Sequence, residues 1–240
     1  MRHFEKYSSE LRELVSIFRE EAAGKPFLKV LEAGCGREWH LRPCGVNIEL
    51  TGVDLDEHAL GHRKNVQKDL DEAIIGDLRT VPLPAATFDI VYSSFVLEHI
   101  EGAEQALDNM LRSLKRGGLL IVRVPDLQGV QTFFARRLPR WAAIAYYRHA
   151  WKISQAGQPG FAPYPTFYDP VISIAGFHEY CRRRGLVVEE QFGVGSYASR
   201  GTGLVSRLVP VAARIVHVVS LGRIHGRYVD VTYIARKMVD

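Results

Sequence analysis

Apolar positions along the chain follow two alternating rhythms. Over residues 4–23, Leu11, Leu14, Val15 and Phe18 fall on one helical face with charges between them, and Gly24 and Pro26 stop the pattern. FLKVLEAG then reads as a buried strand, IELTGVDL as a second, EHALGHRKNV as a helix and DEAIIGD as a short strand. FDIVYSS is a further apolar run. AEQALDNMLRSLK carries helical periodicity up to a stop at Gly117-Gly118, and GLLIVRVP is another strand. Strands alternating with helices predict a parallel sheet with helices on both faces. The order breaks over residues 126–170, which are rich in aromatics and prolines. HEYCRRRGLVVEEQF restores a helix end, a glycine stop and a strand. Residues 193–226 read as a second irregular or helical insertion, and RYVDVTYIARK closes the chain with period-two alternation.

The 240 residues and 47% apolar content suit a single α/β domain. It comprises an N-terminal helical segment over 1–25 and two cap insertions, 126–170 and 193–226. Cys35, Cys44 and Cys181 are scattered, with no metal-binding spacing, and a disulfide framework is not expected. The N-terminus has no apolar leader core, which predicts a reducing cytoplasm. The net charge of +4 hides an asymmetry: residues 121–240 hold 16 Lys/Arg against 7 Asp/Glu, while the first half is acidic. A basic half suits nucleic acid, an anionic lipid surface or an acidic substrate, and equally a solvated surface.

Glu32-Ala33-Gly34-Cys35-Gly36 follows the first buried strand, and Asp54 ends the second, twenty residues after Gly34. Glycines there admit a ligand to the backbone at the sheet's carboxyl edge, and a carboxylate at that distance accepts ribose hydroxyls. A dinucleotide fingerprint needs a glycine at position 39, which is Trp39, and the Gly-Lys-Ser/Thr ending of a phosphate loop is absent.

VLEAGCG, TGVDLDEHAL, GDLRTVPLPAATFDIVYSSFVLEHI and LKRGGLLIVRVPD together resemble, in order and spacing, the class I S-adenosylmethionine-dependent methyltransferases. They look most like the subgroup acting on small molecules and glycolipids, over about residues 28–125. The resemblance implies a doubly wound, Rossmann-like, mostly parallel sheet of seven strands in the order 3-2-1-4-5-7-6. It also implies S-adenosylmethionine as cofactor and S-adenosylhomocysteine as product. Carried onto this chain, it gives cofactor residues Glu32, Gly34, Gly36, Asp54, Leu55, Asp77, Leu78 and Ser94. Gly34 would lie under the methionine part, Asp54 on the ribose and Leu55 beside the adenine. Asp77 would accept from the adenine amino group, Leu78 would offer a backbone N–H to the ring, and Ser93 and Ser94 would face the methionine end and the acceptor. Two plainer readings stay open: Asp77 caps the following turn, and Leu55 is core packing. Glu38 stands where a third glycine is frequent, and Pro43 predicts a short first helix.

The function so implied is methyl transfer to a small-molecule, sugar or lipid-linked acceptor at oxygen, without a metal. The alternatives are RNA methylation and a catalytically silent S-adenosylmethionine-binding protein. The turn Tyr92-Ser93-Ser94-Phe95 lacks the Asn/Asp-Pro-Pro-aromatic form of enzymes that methylate DNA bases, which argues against nucleic acid. His99 is the candidate general base, with packing at a helix start as its plain reading. Tyr168 and His178 are weaker candidates, and His149 is expected at the surface. The aliphatic run Leu204–Leu221, with Arg207 and Arg214 seven apart, is too interrupted to span a bilayer. It can either pack as a cap or lie peripherally in a membrane interface.

Overall fold

The computed structural model describes residues 1–41, 45–150, 152–158, 163–195, 211 and 214–239. Its elements run β1 (Arg2–Phe4), α1 (Tyr7–Ala22), β2 (Leu28–Ala33), β3 (Ile48–Asp54), α2 (Glu57–His62), β4 (Glu72–Ile75) and β5 (Phe88–Ser94). After these come α3 (Ala103–Ser113), β6 (Leu114–Pro125), α4 (Val130–Ala135), α5 (Arg140–Ala150), α6 (Ile174–Arg184), β7 (Leu186–Val194) and β8 (Asp230–Lys237). One sheet takes all eight strands in the order β1-β7-β8-β6-β5-β2-β3-β4. The expected seven strands are corrected to eight: read from β4, strands β2 to β8 keep the expected order 3-2-1-4-5-7-6, and β1 is added beyond β7. Residues 2–4, read as the start of the N-terminal helix, instead form an edge strand pairing parallel with Phe192–Val194.

The pairs among β2, β3, β4, β5 and β6 are parallel, and β8 runs antiparallel between β6 and β7. The central strands are nearly continuous apolar runs because both faces are covered. On one face α3 and α6 contribute Leu107, Met110, Phe177 and Tyr180, with Phe177 stacked on Tyr233 of β8 at 4.2 Å. On the other, Leu14 and Phe18 of α1 pack with Trp39, Tyr92 and Ile121. Strand order reverses between β2 and β5, so a crevice opens at the carboxyl ends of those neighbours, where open α/β sheets bind ligands.

Three element boundaries differ from the sequence expectation. EHALGHRKNV is α2 followed by a π-helical turn, Arg63–Gln67. The helix expected to stop at Gly117-Gly118 ends at Ser113, and β6 runs straight through both glycines. A side chain at Gly118 would meet the Asp89 carbonyl at 2.8 Å, so the strand itself requires a glycine there. No helix forms among the described residues between Gly34 and Leu41, where a short one was expected. Residues 193–194 belong to β7, and the 126–170 segment contains α4 and α5.

Candidate active site

The carboxyl ends of β2, β3, β4, β5 and β6 lie along one edge, with Ala33 beside Val53 and Ser93, Asp54 beside Ile75, and Ser94 beside Arg123. Gly34 and Gly36 both take positive φ, but for different reasons. A Cβ on Gly34 would come within 2.3 Å of a Val96 methyl, so packing against Val96 already requires glycine there. A Cβ on Gly36 would meet nothing within 4 Å, so open space lies over the backbone there.

Asp54 is fixed by two backbone donors: the Gly36 amide donates to Oδ2 at 2.8 Å and the Asp56 amide to Oδ1 at 2.9 Å. Asp56 in turn caps α2 by accepting from the amides of His58 and Ala59. Each Asp54 oxygen keeps lone-pair capacity for a further donor. Leu55 is 73% exposed, which removes the core-packing reading, and Ile75 at the end of β4 is also exposed. A carboxylate, an open glycine backbone and two outward apolar side chains fit an adenosine.

The remaining expected residues are more occupied. Asp77 does cap its turn, accepting from the Arg79 amide at 2.9 Å, and both its oxygens also accept from the Arg79 guanidinium. Those bonds lower its pKa. Leu78 is buried, and its carbonyl accepts from Asn109 Nδ2. Glu32 lies in the core. It is buried against Arg63 Nη2 at 2.8 Å, and Arg63 also donates to the Cys35 carbonyl and to Asp69. Burial pushes the Glu32 carboxyl up, opposed by the guanidinium. Trp39 fills the space beneath the loop, edge-on to Phe18 and Tyr92.

On the acceptor side, Ser94 Oγ accepts from Arg123 Nη1 at 3.0 Å, while the Oγ of the buried Ser93 has no hydrogen-bond partner. Arg123 is clamped by the buried Glu10 of α1 at 2.6 and 2.9 Å, and Thr232 also donates to Glu10. The Arg123 guanidinium lies 5.1 Å from the Phe95 ring, and Phe95 has φ of 57°, a costly conformation for a bulky residue. Glu10 and Arg123 thus hold a strained turn at the end of β5. Sequence reading missed both, although Glu10 falls four residues before Leu14, on the buried face of α1.

His99 is half-buried in a 3-10 turn. Its Nδ1 lies 2.7 Å from the Pro165 carbonyl, which can only accept, so Nδ1 carries the proton and Nε2 keeps its lone pair. Burial lowers its pKa. Tyr164 lies edge-on to His99 at 5.6 Å, and its hydroxyl pKa is raised by burial and by the carboxylates of Asp56 and Asp54. The stretch 163–169, tied by the Phe167 amide to the Glu98 carbonyl at 2.8 Å, therefore packs against His99, with Tyr164 close enough to Asp54 and Asp56 to feel their charge. Tyr168 sits under Arg136 at 4.6 Å, His178 donates to Gln191 and is exposed, and His149 is exposed as expected.

Behind His99 lie acids that sequence reading did not single out. Glu98 is buried with Oε2 unpartnered, and burial pushes its carboxyl up to about 8. Burial likewise raises Asp126 to about 7, and the nearby Asp230, which accepts from Tyr7, raises both. Glu98 is ordinarily ionised above about 4.5, so its ionisation costs the folded state nothing below that pH. The cost grows as pH rises and is complete above about 8. Glu98→Gln is expected to remove this penalty, by at most about 1.4 kcal/mol per pH unit. Urea denaturation from pH 5 to 8.5 should show the variant gaining on the wild type as pH rises, and a constant difference would contradict the shift.

Residues 31–122 match the family described as the methyltransferase domain. This match, the relatives and the structural neighbours support a class I S-adenosylmethionine-dependent methyltransferase. A malonyl-[acyl-carrier protein] O-methyltransferase of Enterobacter lignolyticus is 27% identical over 157 residues, 62% of this chain and 57% of the relative. A probable S-adenosylmethionine-dependent methyltransferase of Mycobacterium tuberculosis is 34% identical over 99 residues, 40% of this chain and 35% of the relative. The chain thus spans just over half of one relative and about a third of the other. An S-adenosylmethionine-dependent methyltransferase structure from Mesorhizobium loti shares the fold, with a TM-score of 0.54 at 16% identity, covering 94% of this chain and 99% of that one. The [4+2]-cyclase SpnF does so at a TM-score of 0.56 and 18% identity, covering 95% and 82%. The methyltransferase fold therefore also carries a differently named activity.

Proposed function

We propose that this methyltransferase moves a methyl group from S-adenosylmethionine to an oxygen of a small-molecule, sugar or lipid-linked acceptor held beneath residues 163–169. The observation that carries this reading is the Asp54 carboxylate, fixed by the Gly36 and Asp56 amides beside the exposed Leu55 and the open backbone at Gly36. When bound, S-adenosylmethionine supplies a methyl group already activated on a sulfonium. Asp54 holds the ribose hydroxyls, Leu55 and Ile75 flank the adenine, and Gly36 admits the chain of the donor to the backbone. Asp77 serves the amino group only through lone pairs that Arg79 leaves over. The strained turn at Phe95, braced by Arg123 and Glu10, fixes the end of β5 against the reacting atoms. Positioning of this kind can supply roughly 7–11 kcal/mol.

His99 is the base in this reading. Its free Nε2 takes the hydroxyl proton while Pro165 holds the ring, a contribution of roughly 10²–10⁴-fold. Because burial lowers its pKa, it is neutral and basic at neutral pH, and the rate should fall only at pH below the ordinary histidine value of 6.5. His99→Ala is expected to lower turnover by roughly 10²-fold or more while donor affinity stays within about twofold. Unchanged turnover on the natural acceptor would return His99 to a packing role. Calorimetry with S-adenosylmethionine and S-adenosylhomocysteine, followed by an acceptor screen for methylated product, tests the whole reading. Absence of donor binding would defeat it, and binding without any product would favour the silent binding protein.

A further inference from the structure

Two stretches of the chain contain no acidic residue. Residues 127–168 carry Arg136, Arg137, Arg140, Arg148 and Lys152, and residues 192–229 carry five arginines, with no Asp or Glu in either. Ordinary solvated surfaces intersperse both signs. The described parts of the two stretches meet at one end of the molecule. The Val130 amide at the start of α4 donates to the His225 carbonyl at 3.0 Å, the His225 amide donates to Gln128, and Val216 and Ile224 pack on Val130 and Val229.

On both stretches large apolar side chains are exposed. Trp141 on α5 is 75% exposed, and no described residue of α5 is fully buried. Residues 214–219 are helical, and Ile215, Val218 and Val219, spaced i, i+3, i+4, form a stripe on which Val219 is 77% exposed; Leu221 beyond it is 87% exposed. Arg214 and Arg223 flank that stripe and are exposed. No helix among the described residues is long and apolar enough to cross a membrane. A surface that is cationic, free of carboxylates and studded with aliphatic side chains and a tryptophan matches the interface of an anionic bilayer. The cations meet phosphates and the apolar groups enter the acyl boundary. An acidic protein partner would answer the charge but not the bulky aliphatic stripe.

We propose that this end of the molecule, formed by α5 and residues 214–223, docks on an anionic lipid bilayer. No residue of α5 or of 214–223 is among those placed at the Asp54 site, so docking does not depend on the methyl-transfer reading. The full chain is sedimented with phosphatidylcholine vesicles, with and without phosphatidylglycerol, at low and high salt. It should pellet only with the anionic vesicles and be released by salt. Arg140→Glu combined with Arg214→Glu should weaken pelleting by at least roughly tenfold, and Val218→Asp should weaken it comparably. Trp141 emission should shift to the blue on binding, a signal absent from Trp141→Phe. Calorimetry should give every variant the wild-type donor affinity. Failure of the wild type to pellet, equal pelleting on phosphatidylcholine alone, variants that pellet as well as the wild type, or binding to an acidic carrier protein in place of vesicles would each overturn the proposal. Vesicle binding without donor binding would instead defeat the catalytic reading alone.

Discussion

Asp54→Ala is expected to weaken S-adenosylmethionine binding by well over tenfold in calorimetry, with S-adenosylhomocysteine affected to the same degree. Two ribose hydroxyls lose a charged acceptor, at roughly 1.5–3 kcal/mol per hydrogen bond. The same carboxylate also gathers the amides of Gly36 and Asp56, so its removal loosens the loop over which the donor would lie. Both effects act on the nucleoside common to the two ligands, and for that reason neither should discriminate between them. Asp77→Ala should cost less, because Arg79 already engages both oxygens of that carboxylate. An Asp54→Ala protein that binds both ligands as tightly as the wild type would defeat the ribose assignment.

Arg63→Met is expected to destabilise the domain strongly. Arg63 is fully buried, and it donates to Glu32, Asp69 and the Cys35 carbonyl at 2.7–2.8 Å. Removing it strands the Glu32 carboxyl inside the core, a situation that typically costs about 3–5 kcal/mol. The Cys35 carbonyl loses its anchor between Gly34 and Gly36, so donor affinity should fall with stability. Urea denaturation measures the first effect and calorimetry below the transition the second. Pairing Arg63→Met with Glu32→Gln should restore part of the stability, since the stranded charge is then gone. A single variant as stable as the wild type would mean that the buried ion pair holds nothing in place.

The alternation of apolar strands and periodic helices was enough to read a doubly wound α/β sheet, because continuous burial on both faces leaves a continuous apolar run in the chain. The spacing of Gly36 and Asp54 was legible for a similar reason: a strand end and the turn beside it are local features. What the chain could not disclose was pairing at a distance. The edge strand Arg2–Phe4 is too short to carry alternation and exists only because β7 offers it a free edge. That Gly34 must be glycine to leave room for Val96 is likewise visible only in the packing. Glu10, Arg63 and Arg123 read as ordinary charges and Glu32 as a cofactor residue, yet each is buried because its partner comes from a remote segment, up to 113 residues away for Arg123 and Glu10. The sequence by itself determined the fold class, the edge where Gly36 and Asp54 stand and the cationic second half, since composition and local periodicity encode them directly. The tertiary structure decided which carboxylates keep free lone pairs, which are locked in ion pairs and which apolar side chains stay exposed, because those depend on what packs against each side chain.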